Sequence, residues 1–418
     1  MELTLSPRPI GGTVASIASK SQAHRLLICA ALAWQSTKII CTETSADIDA
    51  TIRCLAALGA DFSRMNGTIT VYPMELPHGD RELDCGESGS TLRFLLPVVG
   101  ALGVGATFRL HGRLAERPLS PLWEEMERHG CRLSRPTADT LRCEGRLSGG
   151  TYQIAGDVSS QFISGLLFAL PLTGEDSDIM LTSPLESADY VRMTLAALRT
   201  FGITVEKCET GWHIPAGQRY RSCGSAEVEG DWSNAAFWLT AGAISEVVTV
   251  TGLSPDSPQG DRKIADLLAR FGAEVTWVTN AVSVRPRKLH GIDIDARDIP
   301  DLVPPLALAA ACAEGTTRIY GAERLKIKES DRLQSVAGAL QNLGAEVEIL
   351  PDGLMIHGGK LIGGTVDSQN DHRIAMLAAI ASSVCENPVT LLGAEAVQKS
   401  YPRFWADFET MQRGGTPQ

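Results

Sequence analysis

Two textures of apolar residues take turns along this chain. One is the short, almost uninterrupted Ala/Leu-rich run, as at residues 26–34, too apolar on every side for a surface helix. The other is the amphipathic stretch, apolar at three- and four-residue intervals, that stops at a glycine and gives way to a short alternating strand. Those glycines are Gly59, Gly130, Gly202, Gly272 and Gly344, spaced 71, 72, 70 and 72 residues apart. Glycine ends helices because it alone enters the left-handed C′ conformation without steric cost. They open Ala60-Asp61-Phe62, Cys131-Arg132-Leu133, Ile203-Thr204-Val205, Ala273-Glu274-Val275 and Ala345-Glu346-Val347. A second marker runs in phase: β-rich runs ending in glycine at residues 107–112, 247–252, 317–321 and 389–393. The predicted unit is strand, apolar helix, strand, amphipathic helix, then a strand or strand pair, repeated along the chain.

A sixth helix is expected at residues 403–411, ending near Gly414 or Gly415, with no strand after it. Residues 1–5 (Met-Glu-Leu-Thr-Leu) alternate as a half-buried strand does, and are expected to complete that sixth unit. Six units exceed one core, since single cores stop growing near ~250–300 residues. The expected division is three plus three: one domain at 13–225, the other at 226–418 together with 1–12. The chain would then cross twice between domains, forming a hinge.

Composition narrows the class. The chain is 44% hydrophobic and 21% charged, and no apolar run approaches the ~20 residues of a membrane span. No basic-then-apolar leader opens it, and ten cysteines lie without a Cys-x-x-Cys pair. A cytoplasmic enzyme with reduced thiols is expected, with no zinc site and no membrane partner. The net charge of −11 argues against nucleic-acid binding and makes any local gathering of cations informative.

The cations gather at helix starts. The six apolar helices begin at Ser19-Lys20-Ser21, Ser88-Gly89-Ser90, Ser159-Ser160-Gln161, Asp231-Trp232-Ser233, Asp298-Ile299-Pro300-Asp301 and Asn370-Asp371-His372-Arg373. Serine, aspartate and asparagine cap helices on their own account, so capping and binding both stay open for Asp231 and Ser233. Lys20, Arg25, Arg93 and Arg373 are different. A cation in the first turns opposes the helix dipole at a cost of roughly 0.3–1 kcal/mol, and a bound anion would reverse that sign. With Arg117, Lys326, Lys328, Arg332 and Lys399 in nearby loops, the expectation is two cationic faces holding a small polyanion.

These blocks resemble, in order and from Lys20 to Lys399, the 5-enolpyruvylshikimate-3-phosphate synthases of the enolpyruvyl transferase family. The resemblance rests on Ser19-Lys20-Ser21 with Arg25, residues 89–93, Glu116-Arg117-Pro118, Ser159-Ser160-Gln161, residues 328–332 and Asn370-Asp371-His372-Arg373. It implies an α/β fold of two inside-out α/β barrel domains, each of three repeated strand-helix units, joined by a two-strand hinge. It implies transfer of the enolpyruvyl group of phosphoenolpyruvate to the 5-hydroxyl of shikimate 3-phosphate, with no metal or cofactor and an expected monomer. By motif position Asp301 resembles the base, Glu329 the group handling the C3 proton, and Lys20 the residue shared by both substrates near the leaving phosphate. Arg332 and Arg373 resemble a carboxylate clamp, Arg117 and Lys399 a phosphate clamp, with Gly89 and Gln161 beside them. For shikimate 3-phosphate the matching positions are Lys20, Ser21, Arg25, Ser159, Ser160, Gln161, Ser187, Asp301 and Lys328.

Departures stand at Glu87, Phe94 and Arg324, where family members often carry asparagine, proline and a neutral side chain. Retained Gly89 leaves room for the inhibitor glyphosate. Two alternatives remain: the sister transferase acting on UDP-N-acetylglucosamine, and a non-catalytic anion-binding repeat protein. The sister typically has a cysteine in the loop before its Arg-Pro, and residues 108–117 have none. A mere binder would need no acid–base pair.

Overall fold

All five helix-ending glycines hold positive φ, from 75° at Gly202 to 112° at Gly272. The computed structural model describes residues 1–75 and 79–415. The chain divides into two compact units, Lys20–Val228 and Met1–Ser19 with Glu229–Gln418.

The Lys20–Val228 unit holds α1 (Lys20–Leu32), α2 (Ala46–Ala57), α3 (Gly89–Leu102), α4 (Leu122–Arg128), α5 (Ser160–Ala169) and α6 (Ala188–Thr200). Three four-stranded sheets share one plan. In the second, Arg81–Asp84 runs parallel to Ala106–Arg109, which pairs antiparallel with Thr140–Gly145 and that with Cys131–Ser134. The third repeats it with Gly150–Ile154, Ser177–Leu181, Gly211–Ile214 and Glu206–Cys208. Strands such as Thr37–Ile40 alternate buried and exposed residues, so one sheet face meets water. Helices α3 and α5 are instead buried almost all round. The sheets therefore form the outside and the apolar helices the inside. Each fully buried Leu or Phe of α3 contributes roughly 1.5–3 kcal/mol of transfer free energy. Gly165 brings α5 against α3: a Cβ there would lie 2.2 Å from the Arg93 carbonyl.

The other unit holds α7 (Trp232–Ile244), α8 (Lys263–Phe271), α9 (Val303–Ala311), α10 (Arg332–Asn342), α11 (His372–Ala381) and α12 (Phe404–Gln412). It has two sheets of the same plan and a third of three strands, Glu2–Leu5, Val389–Leu392 and Gly364–Asp367. Glu2 faces Leu392 and Leu5 faces Val389, antiparallel, so the N-terminal strand completes the sixth unit.

The first strand of two units is exchanged along the chain. Gly12–Ala15 precedes α1 in sequence but pairs parallel with Val248–Thr251, after α7. Ser225–Glu227 precedes α7 but pairs with Thr37–Ile40, after α1. The chain consequently passes between units at Ser19–Lys20 and Val228–Glu229, a few residues beyond the 12–13 and 225–226 boundaries expected from sequence. A second difference lies after Gly202. The expected strand at Ile203-Thr204-Val205 starts only at Glu206. The Gln218 side-chain amide donates to the Thr204 carbonyl (2.9 Å) and accepts from its N–H (2.6 Å), taking the place of a partner strand.

Candidate functional site

In the Lys20–Val228 unit the candidate cations sit in the first turns of α1 and α3 and in the loop before α4, and the candidate serines begin α5 and α6. Lys20 Nζ pairs with Asp47 Oδ2 at 2.9 Å, in the first turn of α2. Arg25 is 2% exposed and donates to Thr194 Oγ1 (2.8 Å), Ser21 O (2.5 Å) and Tyr190 O (2.9 Å). All three partners are neutral, and among the described residues no carboxylate pairs with it. Burial pulls its pKa down to about 10. Its guanidinium lies 5.0 Å from the centre of the Phe94 ring, which gives Phe94 a place as its shelf. A buried cation with neutral partners is costly unless an anion arrives.

Two further guanidiniums converge on the first turn of α3. A Cβ on Gly89 would lie 2.7 Å from Arg117 Nη1 and 2.9 Å from Arg93 Nη1. Arg93 donates to Gln161 Oε1 (2.9 Å) and to Pro118 O (3.2 Å), and Gln161 Nε2 donates to Ser90 Oγ (3.0 Å). Helix-start N–H groups beside two guanidiniums suit a phosphate. Gly89→Ala should therefore displace Arg117 without unfolding the unit, because the Gly89 backbone has no positive φ and the clash is with the ends of flexible side chains. The expected result is a rise of roughly tenfold in KM for the phosphate-bearing substrate held there, of the size expected when a charged hydrogen bond is lost. An unchanged KM in steady-state assays would contradict it.

The serines resolve differently. Ser159 is the N-cap of α5, accepting from Gln161 N at 3.3 Å, and Ser160 follows it buried in the first turn. Ser187 is buried at the start of α6 with φ 54°, a left-handed conformation that costs a non-glycine residue about 1–3 kcal/mol and collects at functional sites. Glu87, one of the departures, has its carboxylate against Gly112.

The other unit gathers the remaining residues. Arg332, 1% exposed, directs Nε to Asp371 Oδ2 (2.8 Å), Nη1 to Asp301 Oδ1 (2.7 Å) and Nη2 to Glu329 Oε2 (2.6 Å). Arg373 Nη2 reaches Asp301 Oδ2 at 3.1 Å and Ser233 Oγ at 2.6 Å, and Nη1 donates to the Asp301 carbonyl. Lys328 Nζ is 4.0 Å from Asp301 Oδ1. Asp301 lies in the turn Pro300–Leu302 ahead of α9. Lys399 Nζ donates to Asn370 O at 2.5 Å, pinning the turn in which Gln369 (φ 50°) and Asn370 (φ 57°) are both left-handed.

This half is balanced in charge, where the sequence led one to expect a cationic face. Carboxylates at Asp301, Glu329 and Asp371 offset the cations, because charges this far from water must be paired. Burial pushes the Asp301 carboxyl up, but Arg373, Lys328 and Arg332 outweigh it and hold the group well below the usual carboxylate range. Burial lowers Lys328 to about 8, against the opposing pull of Asp301. Asp261, also buried, is raised to about 6 by burial first and then by the Asp301 charge.

The sequence marked Arg93 as a helix-start cation and left Ser233 open between capping and binding without giving either a role at the site, and it did not mark Asp371 or Asp47 at all beyond their places in the chain. Asp371 is fully buried, holds the Nε edge of Arg332, and accepts from Ser330 Oγ (3.0 Å) and Arg373 N (3.0 Å). Among the described residues no cluster of His, Cys, Asp and Glu suits a metal ion. No helix among them is long and apolar enough to cross a membrane.

Repeated strand-helix units, guanidiniums at helix starts and three carboxylates on one guanidinium suit an enzyme of phosphorylated, carboxylated substrates. The family model for EPSP synthase (3-phosphoshikimate 1-carboxyvinyltransferase) matches residues 5–408. The 3-phosphoshikimate 1-carboxyvinyltransferases of Clostridium kluyveri and Clostridium acetobutylicum are 41% and 42% identical over 412 and 419 residues, each covering 98% of this chain and 97% of the relative. The EPSP synthase of Acinetobacter baumannii superposes with a TM-score of 0.80 at 25% identity, covering 99% of this chain and 98% of that one. The enolpyruvyl transferase NikO of Streptomyces tendae shares the fold, with a TM-score of 0.77 at 19% identity over 98% of this chain and 96% of its own. The chain belongs to the EPSP synthase family.

Proposed function

We infer that the protein transfers the enolpyruvyl group of phosphoenolpyruvate to the 5-hydroxyl of shikimate 3-phosphate, releasing phosphate, as a 3-phosphoshikimate 1-carboxyvinyltransferase. The observation that carries this reading is the pair of carboxylates, Asp301 and Glu329, on the single Arg332 guanidinium. A protein that only bound anions would have no use for two proton-transfer groups against its clamp.

The reaction proceeds by addition and elimination. A proton goes to C3 of phosphoenolpyruvate, C2 becomes electrophilic, and the 5-hydroxyl oxygen attacks it while losing its own proton. Phosphate then leaves the tetrahedral carbon and the C3 proton is removed, restoring the double bond. Asp301 takes the hydroxyl proton and Glu329 gives and recovers the C3 proton. For the leaving phosphate the Lys20–Val228 unit supplies Lys20, Arg117 and Gly89, with Gln161 beside them, and the other unit supplies Lys399. For shikimate 3-phosphate the Lys20–Val228 unit supplies Ser21, Arg25, Ser159, Ser160, Gln161 and Ser187, and the other unit supplies Lys328.

The geometry around Arg332 and Arg373 supports coupling between binding and chemistry. A substrate carboxylate that takes the outer Nη edges competes with Asp301 and Glu329 for them. Losing those partners raises the proton affinity of Asp301, so the base strengthens when its substrate is in place.

Lys328 supplies a pH test. Its lowered pKa, about 8, means the charged form is present below that pH and lost as pH rises through it. kcat/KM for shikimate 3-phosphate should fall above pH 8, and Lys328→Arg should remove the fall. An alkaline limb unchanged in the arginine variant would remove Lys328 from that role. The reading as a whole is tested by phosphate release. It should require phosphoenolpyruvate and shikimate 3-phosphate together, and replacing the latter by UDP-N-acetylglucosamine should abolish it. Release with the nucleotide sugar would assign the sister activity, and no release with either would leave a binding protein.

A further inference from the structure

His24 has no part in the reaction above, yet its ring is fully buried on α1 and only one ring nitrogen is partnered. Nδ1 lies 2.7 Å from Thr51 Oγ1, while Nε2 has no hydrogen-bond partner among the described residues. Thr51 Oγ1 lies 2.7 Å from Thr91 Oγ1, and Thr91 Oγ1 donates to Ser88 Oγ at 2.8 Å. Ser88 caps α3, accepting also from Thr91 N at 3.2 Å. Four buried side chains thus run from α1 through α2 to the residue before Gly89.

The direction of the chain follows from proton supply. A threonine hydroxyl has one proton. Thr91 spends its own on Ser88, so it accepts from Thr51, and Thr51 in turn accepts from His24. His24 must therefore carry its proton on Nδ1 and leave Nε2 bare. That agrees with burial, Lys20 and Arg25 together holding its pKa well below the ordinary value. Its ring stands edge-on to Phe94 at 6.4 Å, an apolar wall that asks nothing of the bare nitrogen.

The chain is also the second rung of a ladder. Lys20 and His24 are four residues apart on α1, and Asp47 and Thr51 four apart on α2, so each pair shares a helix face. Lys20–Asp47 forms the outer, partly buried rung and His24–Thr51 the fully buried one. The buried rung continues to α3 through Thr91.

We propose that His24 is a positioning residue, donating through Thr51 and Thr91 to Ser88 and so setting the first turn of α3, with Gly89 and its two guanidiniums, in register with Lys20. This rests on the reading that the phosphate of phosphoenolpyruvate binds there. Breaking the chain loosens that turn while Arg25 and the serines of α5 and α6 stay in place.

The test compares His24→Leu with His24→Asn, whose Nδ2 can donate to Thr51 in place of Nδ1. The leucine variant should raise KM for phosphoenolpyruvate about tenfold, as expected for a buried acceptor left without its donor, with kcat and KM for shikimate 3-phosphate within about twofold. The asparagine variant should restore most of the loss. A folded leucine variant with unchanged KM, or an asparagine variant equally impaired, would overturn the proposal. Should the leucine variant not fold, Thr91→Val breaks the chain further along and carries the same expectation. Ring nitrogen NMR of the wild-type enzyme is independent of activity: His24 should show the Nδ1–H tautomer unchanged from pH 5.5 to 8, and an Nε2–H tautomer would contradict it. Arg117→Ala separates the two layers. If it leaves KM for phosphoenolpyruvate unchanged, the phosphate placement fails; if it raises KM while His24→Leu does not, only the chain fails.

Discussion

Asp301→Asn should lower kcat by about 10²–10⁴-fold, the usual contribution of a positioned general base, without weakening phosphoenolpyruvate binding. Asparagine keeps one oxygen, enough for Arg332 Nη1 or for Arg373 Nη2 but not for both, since its Nδ2 donates where the second carboxylate oxygen accepts. It cannot accept the hydroxyl proton. The sign of the KM effect is what identifies the step lost. Removing one negative charge from beside Arg332, Arg373 and Lys328 leaves that cluster more cationic, so an anionic substrate should bind as well as before or better. A fall in kcat with KM unchanged or lowered marks a group used in the transition state. Steady-state kinetics with each substrate varied would settle it. A near-normal kcat removes Asp301 from the base role, and a normal kcat with raised KM makes it a binding residue.

Arg332→Ala should have the second large effect, on stability as well as on binding. Arg332 is the common partner of Asp301, Glu329 and the fully buried Asp371. Each carboxylate raises its pKa, and together they outweigh the burial that opposes its charge. Deleting one partner of a buried ion cluster leaves the others desolvated and uncompensated, typically at a cost of 3–5 kcal/mol. With two compact units a single unfolding free energy is not well defined, so the loss is better read locally. Amide exchange in α10 and α11 should speed up by about 10²–10⁴-fold if opening there is eased by that amount, with α3 and α5 unaffected. Equal protection in variant and wild type would show the cluster to be weakly coupled to the fold. Binding of phosphoenolpyruvate should fall as well, and Arg332→Lys should recover only part of it, because a point charge cannot hold a carboxylate by two parallel bonds.

What the sequence made legible is the part written in local chemistry. Helix-ending glycines at one spacing, apolar helices between strands and the alternating residues 1–5 are all consequences of backbone conformation and burial, which adjacent residues encode. The helix starts were legible for the same reason. Pairing across long separations was not. Nothing near Gly12 or Ser225 says that these strands exchange sheets, because their pairing partners, Val248 and Lys38, lie far away along the chain. Charge balance was hidden too: Arg332 and Arg373 read as open clamps until Asp301, Glu329 and Asp371 were seen to fill them. Asp371 was read as a helix cap, which it is, since it accepts from Arg373 N. That it also holds Arg332 depends on α10 and α11 being neighbours. The His24 chain escaped notice because a threonine on a buried helix face looks like any small packing residue.

The central claim is addition across the enol double bond followed by elimination of phosphate, and deuterium reports it most directly. The reaction is run in deuterium oxide with phosphoenolpyruvate and shikimate 3-phosphate, and the product is analysed by mass spectrometry. Protonation at C3 followed by removal of any one of three equivalent hydrogens predicts a product of enolpyruvyl-ether mass carrying solvent deuterium in its methylene group, formed with one phosphate released. A product with no deuterium at C3, or phosphate released without the ether, would contradict the account.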